Sequence, residues 1–275
     1  MNSTTPGAST NTTSPSTSPL DSAQIPLFSI NVLFGLPTHS YIIWLIVKGT
    51  GGIASEYLNF NNSLCEICIS LDFLIFILAS YISSLFPLAM FLQGLTITGR
   101  PLFQCVMCVE RYLAVVHPVT FLKYKPLRYR VICCIAAWII TLGSCLFCLI
   151  MFFFSTVAMH ACFYSVQFLL YLPIQLFCLV AVLRALKQPG PGDRGREREE
   201  KTHMKTRAFY LILITTVTMT ITYVPTTVTG IFTIVLDQLN SIVWIPSMIC
   251  FILAGFVQPV LYLHRAGKLS RLCTQ

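Results

Sequence analysis

Charge is scarce in this 275-residue chain: only 10% of its residues are Asp, Glu, Lys or Arg, against roughly 25% in an ordinary soluble domain. Acidic residues number 10 and tryptophans 3. Hydrophobic residues make up 55%, and the mean hydropathy is +0.75. A single soluble core of this size could not hide that much apolar surface, which argues against a cytosolic enzyme. Nucleic-acid binding is disfavoured as well, because the +8 net charge is small and falls between apolar runs. Twelve cysteines are as many as some disulfide scaffolds carry. Most of them lie inside apolar stretches, where Cys serves as a small buried hydrophobe. What remains is a polytopic membrane protein embedded in a lipid bilayer.

Residues 1–24 have no Lys or Arg and a single acid, Asp21. They are rich in Ser, Thr and Pro and cannot bury enough surface to fold, so a disordered tail is expected. The segment has neither the basic n-region nor the apolar h-region of a signal peptide. Asn2-Ser3-Thr4 and Asn11-Thr12-Thr13 are glycosylation sequons, which have a meaning if the tail is extracellular.

Seven apolar helices are expected near 25–47, 60–83, 87–116, 131–154, 162–186, 205–235 and 242–263. Each covers the roughly 20 residues needed to cross ~30 Å of hydrocarbon. Lipid offers no hydrogen-bond partners, so the backbone must satisfy itself as helix. The chain has no long internal repeat, so a transporter built from duplicated halves has no support. The expectation is an all-α membrane protein, a seven-helix transmembrane bundle over 25–263, with a short cytoplasmic amphipathic tail at 264–275.

Orientation follows from the basic residues. With the N-terminus outside, 17 of the 18 Lys and Arg lie in inner segments, including Lys48, Arg111, Arg128, Arg130, Arg184 and Lys205, and none lies outside. The remaining one, Arg100, falls in mid-membrane. This asymmetry predicts an outer N-terminus and an inner C-terminus. Gln188–Lys201 is the longest polar stretch, expected as a flexible connector or a partner-binding cytoplasmic loop.

Several motifs fall in fixed order. The third span ends Glu110-Arg111-Tyr112, followed by His117-Pro118; the fourth contains Trp138 and the fifth Pro173. The sixth contains Tyr223-Val224-Pro225, and the seventh ends Gln258-Pro259-Val260-Leu261-Tyr262. Asp72 lies inside the second span. Together these strongly resemble the rhodopsin-like (class A) G protein-coupled receptors, over about residues 25–273. The stretch CVERYLAVVHPV carries the most specific likeness.

The resemblance implies a plasma-membrane, multi-pass receptor that couples an outer stimulus to a heterotrimeric G protein at its cytoplasmic face by outward movement of the sixth helix. It implies no catalytic site and no cofactor. Glu110, Arg111 and Tyr112, with Pro259 and Tyr262, would form the G-protein switch. Glu110 would pair with Arg111 while that guanidinium is partly desolvated, and release would free a rigid donor fork for the partner's carbonyls. Tyr223 and Pro225 would form the helix-six pivot, since Pro225 removes a backbone hydrogen bond and bends the helix.

Departures from the family pattern are informative. His39 and Gln258 stand where Asn is usual, and Tyr223 replaces the usual Trp. Lys205 stands where some members carry an acid that clasps the Arg, which predicts a weakly latched inactive state. The family's disulfide Cys at the outer end of the third helix is absent, with Phe86 in its place, leaving Cys162 free or linked between chains. The pairs Cys65/Cys68, Cys105/Cys108 and Cys145/Cys148 could suggest zinc; inside apolar helices the expected role is packing, and no metal is expected.

A charge in mid-membrane must face a partner or a cavity. Asp72 is expected as the acid at the depth of Arg100, so that the guanidinium replaces the sodium ion that the family holds there. His39 and Gln258 would complete this core polar cluster. An outward-opening ligand pocket would be lined by Gln93, Ile97, Ser165, Tyr223, Thr226, Thr227, Trp244 and Met248. Gln93 stands where amine receptors carry Asp, and no outer Lys or Arg awaits a small anion, so a neutral, apolar or peptide ligand is expected. Two other functions remain open: a degenerate receptor-fold protein acting as partner or scaffold without ligand-driven signalling, and a small-solute transporter.

Overall fold

The computed structural model describes residues 19–49, 56–119, 121, 127–154, 157–187, 195–236 and 241–265. Asn2, Asn11 and the C-terminal segment 266–275 lie outside these residues. The described residues form seven helical rods and no strand. Rod α1 consists of Pro19–Ile30, a π-helical turn Asn31–Gly35 and Leu36–Lys48. α2 is Tyr57–Ala79. α3 runs without a break through Phe86–Gly94, a π-helical turn Leu95–Gly99 and Arg100–Val116. α4 is Leu127–Phe154, α5 Val157–Lys187, α6 Gly195–Leu236 and α7 Ser241–Arg265. Six of the rods contain a stretch long and apolar enough to cross a membrane: Gln24–Lys48, Tyr57–Ala79, Arg128–Phe154, Cys162–Lys187, Phe209–Phe232 and Trp244–Leu263. α3 is the exception, because it carries Arg100, Glu110 and Arg111.

Both π-helical turns directly precede a proline near the start of the next helical piece, Pro37 and Pro101. Proline cannot donate to the carbonyl four residues back, and its ring crowds that carbonyl. A wider turn relieves the crowding while the rod continues.

Two boundaries differ from the sequence expectation. α1 begins at Pro19, inside the tail expected to be disordered; a proline in the first turn needs no intrahelical N–H and has its φ already set. α6 begins at Gly195, inside the expected polar connector. The run Gly195–Lys201 reads GREREEK, and Arg, Glu and Lys are good helix formers that extend the rod.

α3 is the central rod, packing on α2, α4, α5 and α6, while α7 closes the ring against α1 and α6. One apolar cluster joins α1, α2, α3, α4 and α7 around Phe28, Phe73, Phe103 and Phe251. A second joins α3, α4, α5 and α6 around Ile97, Tyr164, Phe168 and Tyr223. The outward faces stay apolar: Ile139, Ile150, Leu169, Phe177, Ile221 and Leu253 are exposed. That inverts a soluble surface and fits hydrocarbon as the solvent.

α3 and α4 approach so closely that a Cβ on Gly94 would stand 2.4 Å from the Cys145 backbone nitrogen. Trp138 holds the same region: its Nε1 donates to Asn61 Oδ1 on α2 at 3.0 Å, and its ring packs against Phe103 on α3. Phe86, in the place of the absent cysteine, packs against Phe76 and Phe152. In α6, seven threonines (215, 216, 218, 220, 222, 226 and 229) each donate to the carbonyl four residues back.

Candidate functional site

Arg100 is 1% exposed and lies among three rods. Its Nε and Nη2 donate to Oε1 and Oε2 of Glu66 on α2 at 2.8 and 2.7 Å, a bidentate fork. Its Nη1 donates to the Phe251 carbonyl on α7 at 2.7 Å. The guanidinium carbon lies 3.9 Å from the centroid of the Phe251 ring. One side chain thus ties α3 to α2 and α7, and both oxygens of the buried carboxylate accept a hydrogen bond. This is the arrangement that offsets the desolvation of two charges. Gly255 makes the space, since a Cβ there would meet Arg100 Nη2 at 3.1 Å and Glu66 Oε2 at 3.6 Å.

The expected partner, Asp72, is not the one used: Glu66 takes its place. Asp72 is buried too, but it accepts from the Thr96 hydroxyl at 3.1 Å. α2 and α3 run antiparallel, so a residue later on α3 meets a residue earlier on α2. Thr96 meets Asp72, and Arg100, four residues on, meets Glu66, six residues back and about 9 Å along the axis. The wide turn Leu95–Gly99 contains Thr96 and ends just before Arg100. The expectation of Asp72 rested on depth and on the family resemblance, and neither pointed to Glu66.

The other expected members of the core cluster divide. His39 on α1 is buried within electrostatic reach of Glu66 and Arg100 and near the Gly255 backbone. Gln258 lines a separate water-sized cavity with Asn62, Ser63, Pro259 and Tyr262. Ser70 on α2 donates to Asn31 in the wide turn of α1 at 2.9 Å, a link the sequence reading missed. Glu66 was missed as well, although listing the acids of the second span would have found it.

At the C-terminal end of α3, Glu110 forms an ion pair with Arg130 on α4, Oε1 to Nη2 at 2.5 Å. The expectation had turned Glu110 toward its neighbour Arg111. Glu110, Arg111 and Arg130 share a cavity of about 200 Å³ with Glu56, Asn59 and Phe121. The Tyr112 hydroxyl is 3.0 Å from His117 Nε2, and its ring lies 5.7 Å from that of Phe177 on α5. The side chain of Lys205 is outside the described residues.

The expected ligand-lining residues fall in two groups. Ile97 and Tyr223 are packed with Phe168 and Tyr164, the Tyr223 ring stacking on Phe168 at 6.0 Å. Trp244 and Met248 pack with Phe28, Phe73 and Phe251. Thr226 joins α6 to α7 through Ser247 at 2.8 Å. Gln93 Oε1, Tyr223 Oη and Trp244 Nε1 are buried polar atoms without a hydrogen-bond partner in the structure. Ser165 and Thr227 are half-buried. Among the described residues no group of three or more His, Cys, Asp or Glu could hold a metal ion, and the cysteines there are free thiols.

No family model matches the chain. It is similar to chemokine XC receptor 1 from human, 26% identical over 211 residues, covering 68% of this chain and 59% of the receptor. It is 27% identical to the mouse protein of the same name over 209 residues, covering 69% of this chain and 61% of that receptor. The chain thus spans about three fifths of the length of these curated relatives. Six of its helices are long and apolar enough to cross a membrane, as expected of a multi-pass membrane protein, and both proteins it matches are named as receptors.

Proposed function

We propose that the chain is a rhodopsin-like receptor. In this reading seven helices cross the membrane, the N-terminus lies outside, and an outer stimulus reaches a heterotrimeric G protein through outward movement of α6. The observation that carries the reading is the inner-end cluster: Glu110 and Arg111 line a cavity at the end of the central rod, and the next residue, Tyr112, packs toward α5. The similarity to two receptors supports it. α3 counts as the seventh crossing because its uninterrupted run from Phe86 to Val116 spans about 45 Å at 1.5 Å per residue, and its central charge is neutralised by Glu66 inside the bundle.

In this mechanism Glu110 is held by Arg130 and restrains α3 against α4. When α6 swings away at the bend around Pro225, the planar Arg111 fork is presented to carbonyl groups of the entering partner. Pro259 and Tyr262, beside Gln258 and Asn62 in the small cavity between α1, α2 and α7, adjust on the other side. A peptide or protein is the proposed stimulus, since the relatives are named for chemokines, Gln93 stands where amine receptors carry Asp, and no outer Lys or Arg awaits a small anion.

The experiment is G-protein activation in transfected cells, for wild type and Arg111→Ala, with surface expression measured in parallel. A basal or ligand-induced signal lost in Arg111→Ala is the expected result. Silence from both at normal expression favours the second reading, a receptor-fold partner or scaffold, for which the rigid Arg100–Glu66–Phe251 link speaks. Solute-dependent current or uptake would instead indicate a transporter.

A further inference from the structure

We propose that a groove between the C-terminal ends of α3 and α5 binds an acidic phospholipid, with an acyl chain along Leu176, Phe177 and Val180 and the headgroup phosphate on Arg184. The groove has a volume of about 600 Å³ and is walled by Val116 of α3 and by Leu176, Phe177, Val180, Ala181 and Arg184 of α5. Phe177, Ala181 and Arg184 recur at i, i+4 and i+7, with Leu176 and Val180 beside them, so they share one helix face. Phe177 is 61% exposed, and Leu176 and Val180 are exposed too, so the protein leaves the trough uncovered.

The polarity of the groove selects the occupant. It is apolar along its length and cationic at one end, where Arg184 and Lys187 occupy the last turn of α5. Leu176 and Arg184 are eight residues apart on one helix, about 12 Å, which matches one leaflet of a ~30 Å hydrocarbon layer. Arg184 is exposed, and the ion pairs among the described residues are Arg100–Glu66 and Arg130–Glu110, so its charge awaits a counter-ion. A zwitterionic headgroup is neutral overall, whereas an acidic lipid brings a net negative charge to the guanidinium. The occupant also touches the switch region, because the Phe177 ring packs against Tyr112.

The inference rests on the bundle crossing a bilayer and not on G-protein coupling, so its failure leaves the receptor reading standing. The test uses the full chain in nanodiscs of symmetric leaflets, which removes any dependence on orientation. A minor fraction of phosphatidylserine carrying an acyl-chain diazirine is photolysed, and in parallel the same probe on phosphatidylcholine; labelled peptides are mapped by mass spectrometry. The expected result is about five-fold more label from phosphatidylserine on the Leu176–Lys187 peptide, the preference that one basic contact supplies. Arg184→Gln abolishes the preference and Arg184→Lys retains it, while label on the outward face of α4 stays at the wild-type level in both, which reports intact folding. Free inorganic phosphate leaves the labelling unchanged. Equal labelling by the two lipids, an undiminished preference in Arg184→Gln, or displacement by free phosphate would each overturn the proposal.

Discussion

Arg100 and Glu66 meet as a two-pronged pair across α3 and α2, at 2.7 and 2.8 Å, with the guanidinium 1% exposed. Removing one partner strands the other in the bundle, which costs about 3–5 kcal/mol. Arg100→Met and Glu66→Leu are therefore each expected to lower thermal stability and surface expression strongly. The double variant is expected to recover most of the loss. Asp72→Asn, which keeps an acceptor for Thr96, is expected to do less harm than Glu66→Gln. Melting curves in detergent decide the order; equal damage from Asp72→Asn and Glu66→Gln would return Asp72 to the role assigned here to Glu66.

Gly94 and Gly143 form a matched pair of controls for the approach of α3 to α4. A Cβ on Gly94 meets the Cys145 backbone at 2.4 Å, whereas one on Gly143 meets nothing within 4 Å. Gly94→Ala forces the rods apart and is expected to cost about 1–3 kcal/mol, the usual range for overpacking. Gly143→Ala is expected to be neutral or slightly stabilising. Thermal unfolding of the two variants, measured side by side, checks the contact.

Gln175 is a buried amide with no hydrogen-bond partner on either side-chain atom, at 0% exposure. It lies on the face of α5 with Tyr171, Cys178 and Val182, which pack in the two clusters shared with α3 and α6. Replacing an unsatisfied buried amide by an apolar side chain of similar size removes a penalty of about 1–3 kcal/mol. Gln175→Met is expected to raise the melting temperature. A lowered value would mean that the amide has a bonding partner in the bilayer.

Glu110 and Arg130 are partly exposed, at 28% and 18%. Pairs of this kind contribute less than about 1 kcal/mol. Arg130→Ala is expected to leave expression and melting temperature nearly unchanged while raising the basal G-protein signal, since it frees Glu110 and the end of α3. An unchanged basal signal alongside a normal ligand response would show that the pair is not a latch.

Most of the architecture was legible because lipid simplifies the code: apolar runs of membrane length become helices. The seven expected stretches coincide with the seven rods, within a few residues at most ends. The misses have local causes. Arg-Glu-Arg-Glu-Glu reads as loop by polarity and as helix by propensity, and propensity won in α6. The need of Arg100 for a buried acid was legible from its depth. Which acid it takes was not, because Glu66 and Asp72 both lie on α2 and only the packing of α3 against it selects between them. The turn of Glu110 toward Arg130 is a tertiary contact that neighbouring letters cannot show.

The threonines of α6 have a consequence for motion. A helix whose hydroxyls are bound to neighbouring rods must break those bonds to change place, and in lipid no water stands ready to replace them. The seven hydroxyls that bond back to their own helix travel with it, so α6 can exchange one set of neighbours for another without stranding a polar group. Of these seven, Thr226 also reaches out of the helix, to Ser247. In the proposed mechanism that contact would hold α6 to α7 while the length of rod before it swings outward as a lever.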